Sequence, residues 1–199
     1  MQPIVDSRRR TRHGLAHAIL LAVVASGFAA CTDSTTPSAP VGGGRELGAA
    51  TVGLIGMPPA ARSMSQLLGA FGSKVVGYDP SLHASDTVWE RWRVRPMGLR
   101  ELLEVCDAVC VQLTYFSRYQ GLLGDRFLPF SKPNQVIVST AHSALFDEKA
   151  LADVLASGRV AAAWLDSLEP GALDSGRPLA GISTLQITPR VASTTRESR

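Results

Sequence analysis

Short apolar runs alternate with stretches of helical spacing along most of this chain. Three stretches carry apolar residues at every third or fourth position and predict helices: Ala60–Phe71, Leu99–Cys106 and Lys149–Ala156. The apolar runs between them predict strands: Thr51–Ile55, Lys74–Tyr78, Ala108–Leu113, Gln135–Ser139, Val160–Leu165 and Leu185–Ile187. Strands that are apolar throughout are buried on both faces. The pattern therefore predicts an α/β fold, a doubly wound parallel sheet with helices on both faces.

The first 45 residues follow a different pattern, and two interpretations of them stay open. In one, basic Arg8–Arg10 and apolar Leu15–Ala30 form a signal-like segment that ends at Cys31, so that residues 8–31 export or lipid-anchor the protein. In the other, the apolar run is a buried helix, because it is short for a membrane span. Thr32–Gly44 has the composition of a flexible linker. We therefore predict an N-terminal segment over 1–45 and one α/β domain over 46–199.

Composition excludes some classes of function. A chain of 199 residues with 45% hydrophobic content can bury one sizeable core. The net charge is only +3, and the arginines are not clustered with stacking aromatics, so we expect no direct contact with nucleic acid. Cys31, Cys106 and Cys110 have neither metal-binding spacing nor a disulfide pattern. Cys106 and Cys110 flank an apolar run and are predicted to be buried, reduced thiols.

The first predicted strand leads into a glycine-containing turn, GLIGMPPAAR, over 53–62. In a Rossmann-type turn three small residues allow a tight bend, the approach of a pyrophosphate and close helix packing. Gly56 takes the first place and Ala61 the third, but Pro58, after Met57, takes the second and offers no N–H. Asp79 ends the second strand, where a carboxylate binds the ribose of NAD and repels a 2′-phosphate. By itself this turn is a weak signal, equally compatible with an α/β domain that binds no nucleotide.

Three ordered motifs farther along resemble the D-isomer-specific 2-hydroxyacid dehydrogenases. Lys132–Leu151 is similar to that family's K-P-x-A-x-x-I-N-T-A-R-G-x-x-V-D-E-x-A-L, Ser157–Asp166 to S-G-R-I-A-G-A-x-L-D, and Ile187–Ala192 to L-T-P-H-I-A. The resemblance runs from about Arg45 to the C-terminus and implies a Rossmann-type NAD-binding domain. Leu15–Val24 resembles the family's helix that enters this domain. The substrate domain of the family is therefore expected to be largely absent from this chain.

The resemblance also places the groups that transfer a hydride and a proton in the family. The arginine that grips the substrate carboxylate corresponds to His142, the proton-transferring histidine to Arg190, and the glutamate that tunes it to Gly171. Ala141 and Asp166 match cofactor-contacting positions. Two alternatives follow: the pocket has lost its chemistry, or Arg190 and His142 have exchanged roles. With no glutamate at the family's position, we expect no carboxylate beside His142.

Within the family, the chain resembles the C-terminal-binding-protein branch and its angustifolia-type members. Those proteins also have a degraded glycine turn and an arginine at the position of Arg190 in Thr188–Arg190. The resemblance implies a cytoplasmic or nuclear co-regulator-type scaffold that binds NAD weakly or has lost it. Protein partners and a homodimer formed through the domain's helices are implied in the same way. Membrane contact is expected only if the N-terminal run is an export signal.

Overall fold

The computed structural model describes residues 46–190, which form one seven-stranded sheet and the helices that cover it. The strands are β1 Thr51–Ile55, β2 Lys74–Tyr78, β3 Arg95–Pro96, β4 Ala108–Val111, β5 Gln135–Ser139, β6 Val160–Leu165 and β7 Leu185–Ile187. The α-helices are α1 Pro59–Ala70, α2 Thr87–Arg91, α3 Leu99–Val105 and α4 Glu148–Ala156. All neighbouring strands pair in parallel, in the order β3-β2-β1-β4-β5-β6-β7. The predicted doubly wound parallel sheet is confirmed.

Alternation along the central strand β1 divides the core between the two faces of the sheet. Val52 and Leu54 pack in one apolar cluster with α1, and that cluster also holds Trp89 of α2. Gly53, between them, faces the opposite side, where a Cβ would lie 2.6 Å from Leu102 of α3. The cluster on this second side also includes the buried face of α4. Because both faces are covered, the strands need the continuous apolar runs seen in the sequence.

Side-chain capping sets where two of the helices begin. Asp86 accepts a hydrogen bond from the Val88 N–H at 2.8 Å and starts α2. Asp147 accepts one from the Ala150 N–H at 2.8 Å and starts α4. Such caps satisfy backbone donors that the first helical turn leaves without a partner. α1 begins without a side-chain cap, which bears on the site below.

Each predicted helix and strand is present, with differences of one or two residues at some of the ends. The helix expected over Ala60–Phe71 begins and ends one residue earlier, and the strand expected over Ala108–Leu113 ends at Val111. The short strand β3 and helix α2 were not predicted. β3 is two residues long and contains a proline, which the edge of a sheet tolerates but a strand pattern does not reveal. The predictions for residues 1–45 and for the last motif beyond Arg190 lie outside the described residues.

The two described cysteines are buried, reduced thiols, as predicted. Cys106 and Cys110 have exposed fractions of 0% and 1% and form no disulfide. Burial raises the pKa of each thiol to about 12. Within residues 46–190, no group of three or more His, Cys, Asp or Glu side chains could hold a metal ion. No helix in this part of the chain is both long and apolar enough to cross a membrane.

We expect neither thiol to react with Ellman's reagent at about pH 8 in the native protein, because only the thiolate is reactive. A Cys31→Ser variant restricts the assay to Cys106 and Cys110. An unfolded thiol ionises near pH 8.5, so below that pH the thiols are protonated in both states and the fold keeps its full stability. This stability is lost as the pH rises toward 12, at about 1.4 kcal/mol per pH unit for each thiol. Equal labelling rates in native and guanidinium-unfolded protein would contradict this expectation.

Candidate nucleotide-binding and catalytic site

The predicted site residues meet at one edge of the sheet. In a parallel sheet the carboxyl ends of all strands lie on the same side, and ligands bind where the strand order reverses. Here the order reverses between β1 and β4, which are direct neighbours. Gly56 follows β1, Asp79 follows β2, His142 follows β5 and Asp166 follows β6. The topology thus assembles residues that are far apart in the sequence.

Gly56 makes the turn after β1 and is required by the backbone around it. Its φ is +92°, a left-handed conformation that glycine adopts without strain. Its N–H donates to the Tyr78 carbonyl at 2.7 Å. A Cβ at this position would lie 2.4 Å from the Leu113 Cα. The close approach of the loop after β4 therefore demands glycine whether or not a nucleotide is bound.

Asp79 ties the turn after β1 to the end of β2. One carboxylate oxygen accepts the Met57 N–H at 2.8 Å. The other accepts both the N–H and the hydroxyl of Ser81, at 2.9 and 2.6 Å. A carboxylate offers about four acceptor positions, so about one remains for a ribose hydroxyl. Met57 contributes its backbone alone at this point, because its side chain is buried in the core.

The start of α1 is poor in the N–H donors that bind a pyrophosphate. Pro58 is the N-cap and Pro59 the first helical residue, and neither has an N–H. The first helical hydrogen bond runs from the Arg62 N–H to the Pro58 carbonyl at 3.1 Å. This leaves the N–H groups of Ala60 and Ala61 at the helix start, and Ala61 is completely buried, as close helix packing requires. The residues present thus fit the adenosine ribose better than the phosphates.

His142 is held by contacts on three sides. Its Nδ1 accepts the Ala144 N–H at 3.2 Å and so begins the short 3₁₀ helix Ser143–Leu145. Its ring stacks on Tyr115, with ring centroids 4.5 Å apart and planes 20° from parallel. Its Nε2 lies 3.6 Å from a carboxylate oxygen of Glu169. That distance is too long for a hydrogen bond but short enough for an ion pair when the ring is protonated.

The expectation that no carboxylate would lie beside His142 is wrong. The family's position corresponds to Gly171, which adopts a φ of +82° in a turn. The chain after β6 instead brings Glu169 to the end of β5, where the same oxygen also accepts the Ser143 hydroxyl at 3.4 Å. Counting residues from Asp166 missed this because a loop of different length can present a carboxylate from another position. The glutamate before Pro170 was the sequence feature that could have indicated this contact. Nothing in the sequence indicated that Tyr115 would stack on His142.

Asp166 directly follows β6, and its hydrogen bonds join the ends of β5, β6 and β7. Its exposed fraction is 7%, and its N–H donates to the Ser139 carbonyl at 2.8 Å. Its carboxylate accepts the Thr188 hydroxyl at 2.5 Å, and Trp164 Nε1 donates to the same hydroxyl oxygen at 3.3 Å. Ala141, half-buried nearby, donates its N–H to the Ser139 hydroxyl at 3.2 Å. These contacts fix the backbone on which the nicotinamide end of the site is predicted to lie.

We expect Thr188→Val to destabilise the domain by about 1.5–3 kcal/mol, because a buried carboxylate loses a hydroxyl donor. Urea-induced unfolding measures the change. Thr184→Val is the matched control, since Thr184 stands next to β7 and its side chain is exposed. Similar losses in both variants would mean that the hydrogen bond from Thr188 to Asp166 contributes nothing beyond the local preference for threonine.

A cavity of about 400 Å³ lies beside these residues. It is lined by the segments 167–170 and 187–190, which include Glu169 and Arg190. Arg190 has a φ of +56°, so the chain turns sharply after Pro189. His142 does not line the cavity, but its Nε2 lies 3.6 Å from Glu169, which does. The structure therefore brings Glu169 together with both predicted catalytic positions.

The parallel sheet, its reversal beside β1, the glycine turn and the carboxylate after β2 together define a dinucleotide-binding domain of the Rossmann type. The comparison with protein families specifies the class further. Residues 28–192 match the family model described as D-isomer specific 2-hydroxyacid dehydrogenase, NAD binding domain, and the chain belongs to this family. NAD is accordingly its cofactor class.

Relatives with known activities agree with this assignment. The chain is 32% identical over 155 residues to (S)-sulfolactate dehydrogenase of Chromohalobacter salexigens, covering 78% of this chain and 50% of the relative. It is 34% identical over 158 residues to D-3-phosphoglycerate dehydrogenase of Mycobacterium tuberculosis, covering 78% and 29%. The chain thus spans half or less of these relatives' lengths.

Solved structures show the same fold. D-lactate dehydrogenase with NAD+ from Lactobacillus jensenii superimposes with a TM-score of 0.77 at 21% identity, over 94% of this chain and 61% of that one. D-lactate dehydrogenase from Treponema pallidum superimposes with a TM-score of 0.74 at 22% identity, over 96% and 62%. At these identities the likeness extends to the fold of the domain.

Proposed function

We propose that this chain is an NAD(H)-binding domain that has lost the family's proton-transfer chemistry and acts as a nucleotide-binding scaffold of the co-regulator type. The observation that carries this proposal is the way His142 is held. Both of its ring nitrogens face protein groups, Nδ1 the Ala144 N–H and Nε2 the Glu169 carboxylate.

Proton transfer requires a ring nitrogen that points at the reacting oxygen. Because Nδ1 accepts a backbone N–H, a neutral His142 ring has its proton on Nε2. Nε2 lies 3.6 Å from a carboxylate oxygen of Glu169. In this arrangement Nδ1 is not available to a substrate hydroxyl, and a carboxylate lies beside Nε2. The arginine and histidine positions of the family are also both substituted, by His142 and Arg190.

Retention of the nucleotide is supported by Asp79. Its carboxylate accepts three hydrogen bonds, from the Met57 N–H and from the N–H and hydroxyl of Ser81, and keeps about one acceptor position for a ribose hydroxyl. NAD supplies a hydride acceptor when bound, and NADH a hydride donor. A negative carboxylate at Asp79 repels a 2′-phosphate, so we expect NADH to bind more tightly than NADPH.

Calorimetric titration of NADH into the full chain, with NADPH as the comparison, tests nucleotide binding. We expect micromolar affinity for NADH and weaker binding of NADPH. No heat from NADH with a protein that melts cooperatively would overturn this part of the proposal. Pro58→Gly restores one backbone donor and is expected to tighten NADH binding.

Turnover assays test the loss of chemistry. We expect no oxidation of NADH above background with small 2-oxo acids between about pH 5 and pH 9, the range in which histidine titrates. A family dehydrogenase in the same assay shows that the conditions permit turnover. A rate above background that disappears in His142→Ala would contradict the proposal.

A second candidate function is an active NAD-dependent oxidoreductase of a 2-hydroxy acid, in which Arg190 grips the carboxylate and His142 moves the proton. The contact between His142 and Glu169, and the cavity that Glu169 shares with Arg190, favour it. Glu169 is more than half exposed and can turn away, which would free Nε2. If this candidate is correct, Glu169→Gln shifts the pH profile of the rate, and Arg190→Gln raises KM for the 2-oxo acid.

The scaffold role rests on the resemblance to the C-terminal-binding-protein branch, including the arginine at Thr188–Arg190. We propose that the chain forms a homodimer and binds protein partners in the cytoplasm or nucleus. Sedimentation equilibrium of the purified chain tests the dimer. A monomer at micromolar concentration, with and without NADH, would remove the dimer from the proposal.

A further inference from the structure

We infer that the Arg62 guanidinium binds the diphosphate of the nucleotide and replaces the backbone donors that Pro58 and Pro59 remove. This inference rests on the proposed nucleotide binding and assigns a binding residue for it. The start of α1 lacks two backbone N–H donors. A diphosphate at a Rossmann turn is normally held by N–H groups at the helix start, and two consecutive prolines delete two of them.

Arg62 is fixed at the turn by a contact of its own. Its Nε donates to the Met57 carbonyl at 2.9 Å, so the side chain folds back from the first turn of α1 toward the turn after β1. The Arg62 N–H binds the Pro58 carbonyl at 3.1 Å, and the Ser65 hydroxyl donates to the Arg62 carbonyl at 2.7 Å. Both the backbone and the side chain of Arg62 are therefore held in place.

The anchoring leaves the ends of the guanidinium available. With Nε donating to Met57, the two terminal nitrogens keep four N–H donors. Within residues 46–190, no carboxylate forms an ion pair with Arg62. The side chain is half-buried rather than extended into solvent. A planar, permanently charged group that lies at the turn and lacks a carboxylate partner matches the geometry of phosphate oxygens.

Charge at the turn supports the same assignment. Asp79, whose carboxylate contacts the turn through the Met57 N–H, accepts its hydrogen bonds from Met57 and Ser81. The positive end of the helix dipole at the start of α1 also favours an anion there. Arg62 adds a full positive charge to a site whose N–H donors are reduced. The diphosphate is thus expected to be held more by this charge and less by the backbone than in a Rossmann turn with three glycines.

The test compares Arg62→Gln with Arg95→Gln, which removes the same charge from an exposed position on β3. NADH, ADP and adenosine are titrated into the full chain and each variant by calorimetry. We expect Arg62→Gln to weaken NADH and ADP by about tenfold to a hundredfold, with adenosine unchanged. Arg95→Gln is expected to leave all three affinities unchanged. Unchanged ADP affinity in Arg62→Gln, with tight binding by the unaltered chain, would overturn the inference alone.

A double variant tests replacement directly. If Arg62 compensates for the missing N–H, Pro58→Gly should raise ADP affinity more in the Arg62→Gln background than in the unaltered chain. Equal effects in both backgrounds would mean that the two groups act independently, which contradicts replacement. If the unaltered chain and Pro58→Gly both fail to bind NADH while melting cooperatively, the proposed nucleotide binding itself fails. The outcomes therefore separate the two proposals.

Discussion

Gly56→Ala is expected to destabilise the domain by at least about 3 kcal/mol and to abolish NADH binding. A left-handed conformation costs a residue with a side chain about 1–2 kcal/mol, and φ here is +92°. The added Cβ would also lie 2.4 Å from the Leu113 Cα and 2.6 Å from its nitrogen, so backbone must move. Because β1 and β4 are adjacent in the sheet, that movement separates the turn from the loop that packs on it. Urea unfolding and NADH titration measure both effects.

Gly176→Ala provides the matched control for this prediction. Its φ is +88°, nearly that of Gly56, but nothing lies within 4 Å of an added Cβ. It is expected to lose only the conformational part, about 1–2 kcal/mol, and to keep its NADH affinity. The difference between the two variants isolates the contact with Leu113. Equal losses of stability would show that this contact relaxes without cost.

Asp79→Ala is expected to weaken NADH binding about a hundredfold and to remove the preference for NADH over NADPH. The change deletes the acceptor for a ribose hydroxyl, and hydrogen bonds to charged groups contribute about 1.5–3 kcal/mol each. It also releases the Met57 N–H and both donors of Ser81, which loosens the turn. Without the carboxylate, a 2′-phosphate meets no repulsion. Parallel titrations with NADH and NADPH measure both the affinity and the preference.

Asp86→Ala is the control for the loss of an acid that accepts a backbone N–H. Asp86 caps α2 through the Val88 N–H at 2.8 Å and belongs to the same connection between β2 and β3. We expect it to cost about 1 kcal/mol of stability without a change in nucleotide preference. If Asp79→Ala keeps its preference for NADH, the assignment of Asp79 to the ribose is wrong.

Most of the fold was predictable because it follows from local periodicity. Strands such as β4 and β6 are apolar at every position, and α4 repeats apolar residues at helical spacing and is capped by Asp147. These signals lie within a few residues of one another and survive without tertiary information. β3 gave no such signal. It forms because Arg95 and Pro96 pair with Val76 and Gly77 at the edge of a sheet that already exists.

The candidate site was predicted less completely. Gly56, Asp79, Asp166 and Thr188 each follow a strand whose end is readable in the sequence, so their location at one edge of the sheet was predictable. Their roles in binding stay predictions. The carboxylate of Glu169 beside His142 was not predicted, since its place depends on how the chain after β6 folds back. The stacking of Tyr115 on His142 joins loops that follow different strands, β4 and β5. No spacing rule predicts such contacts.

The sequence by itself determined the class of fold and the family, and it is the basis of the proposal that catalytic groups are lost at His142 and Arg190. These depend on the order and identity of residues, which the chain carries directly. Tertiary structure alone decided which groups His142 contacts, why Gly56 is indispensable, and where the Arg62 guanidinium lies. The physical reason is the sequence separation of the interacting residues. The periodicity that predicts a helix or a strand involves residues within a few positions of one another. Hydrogen bonds and close packing at the sheet's edge instead join residues that only the finished sheet brings together.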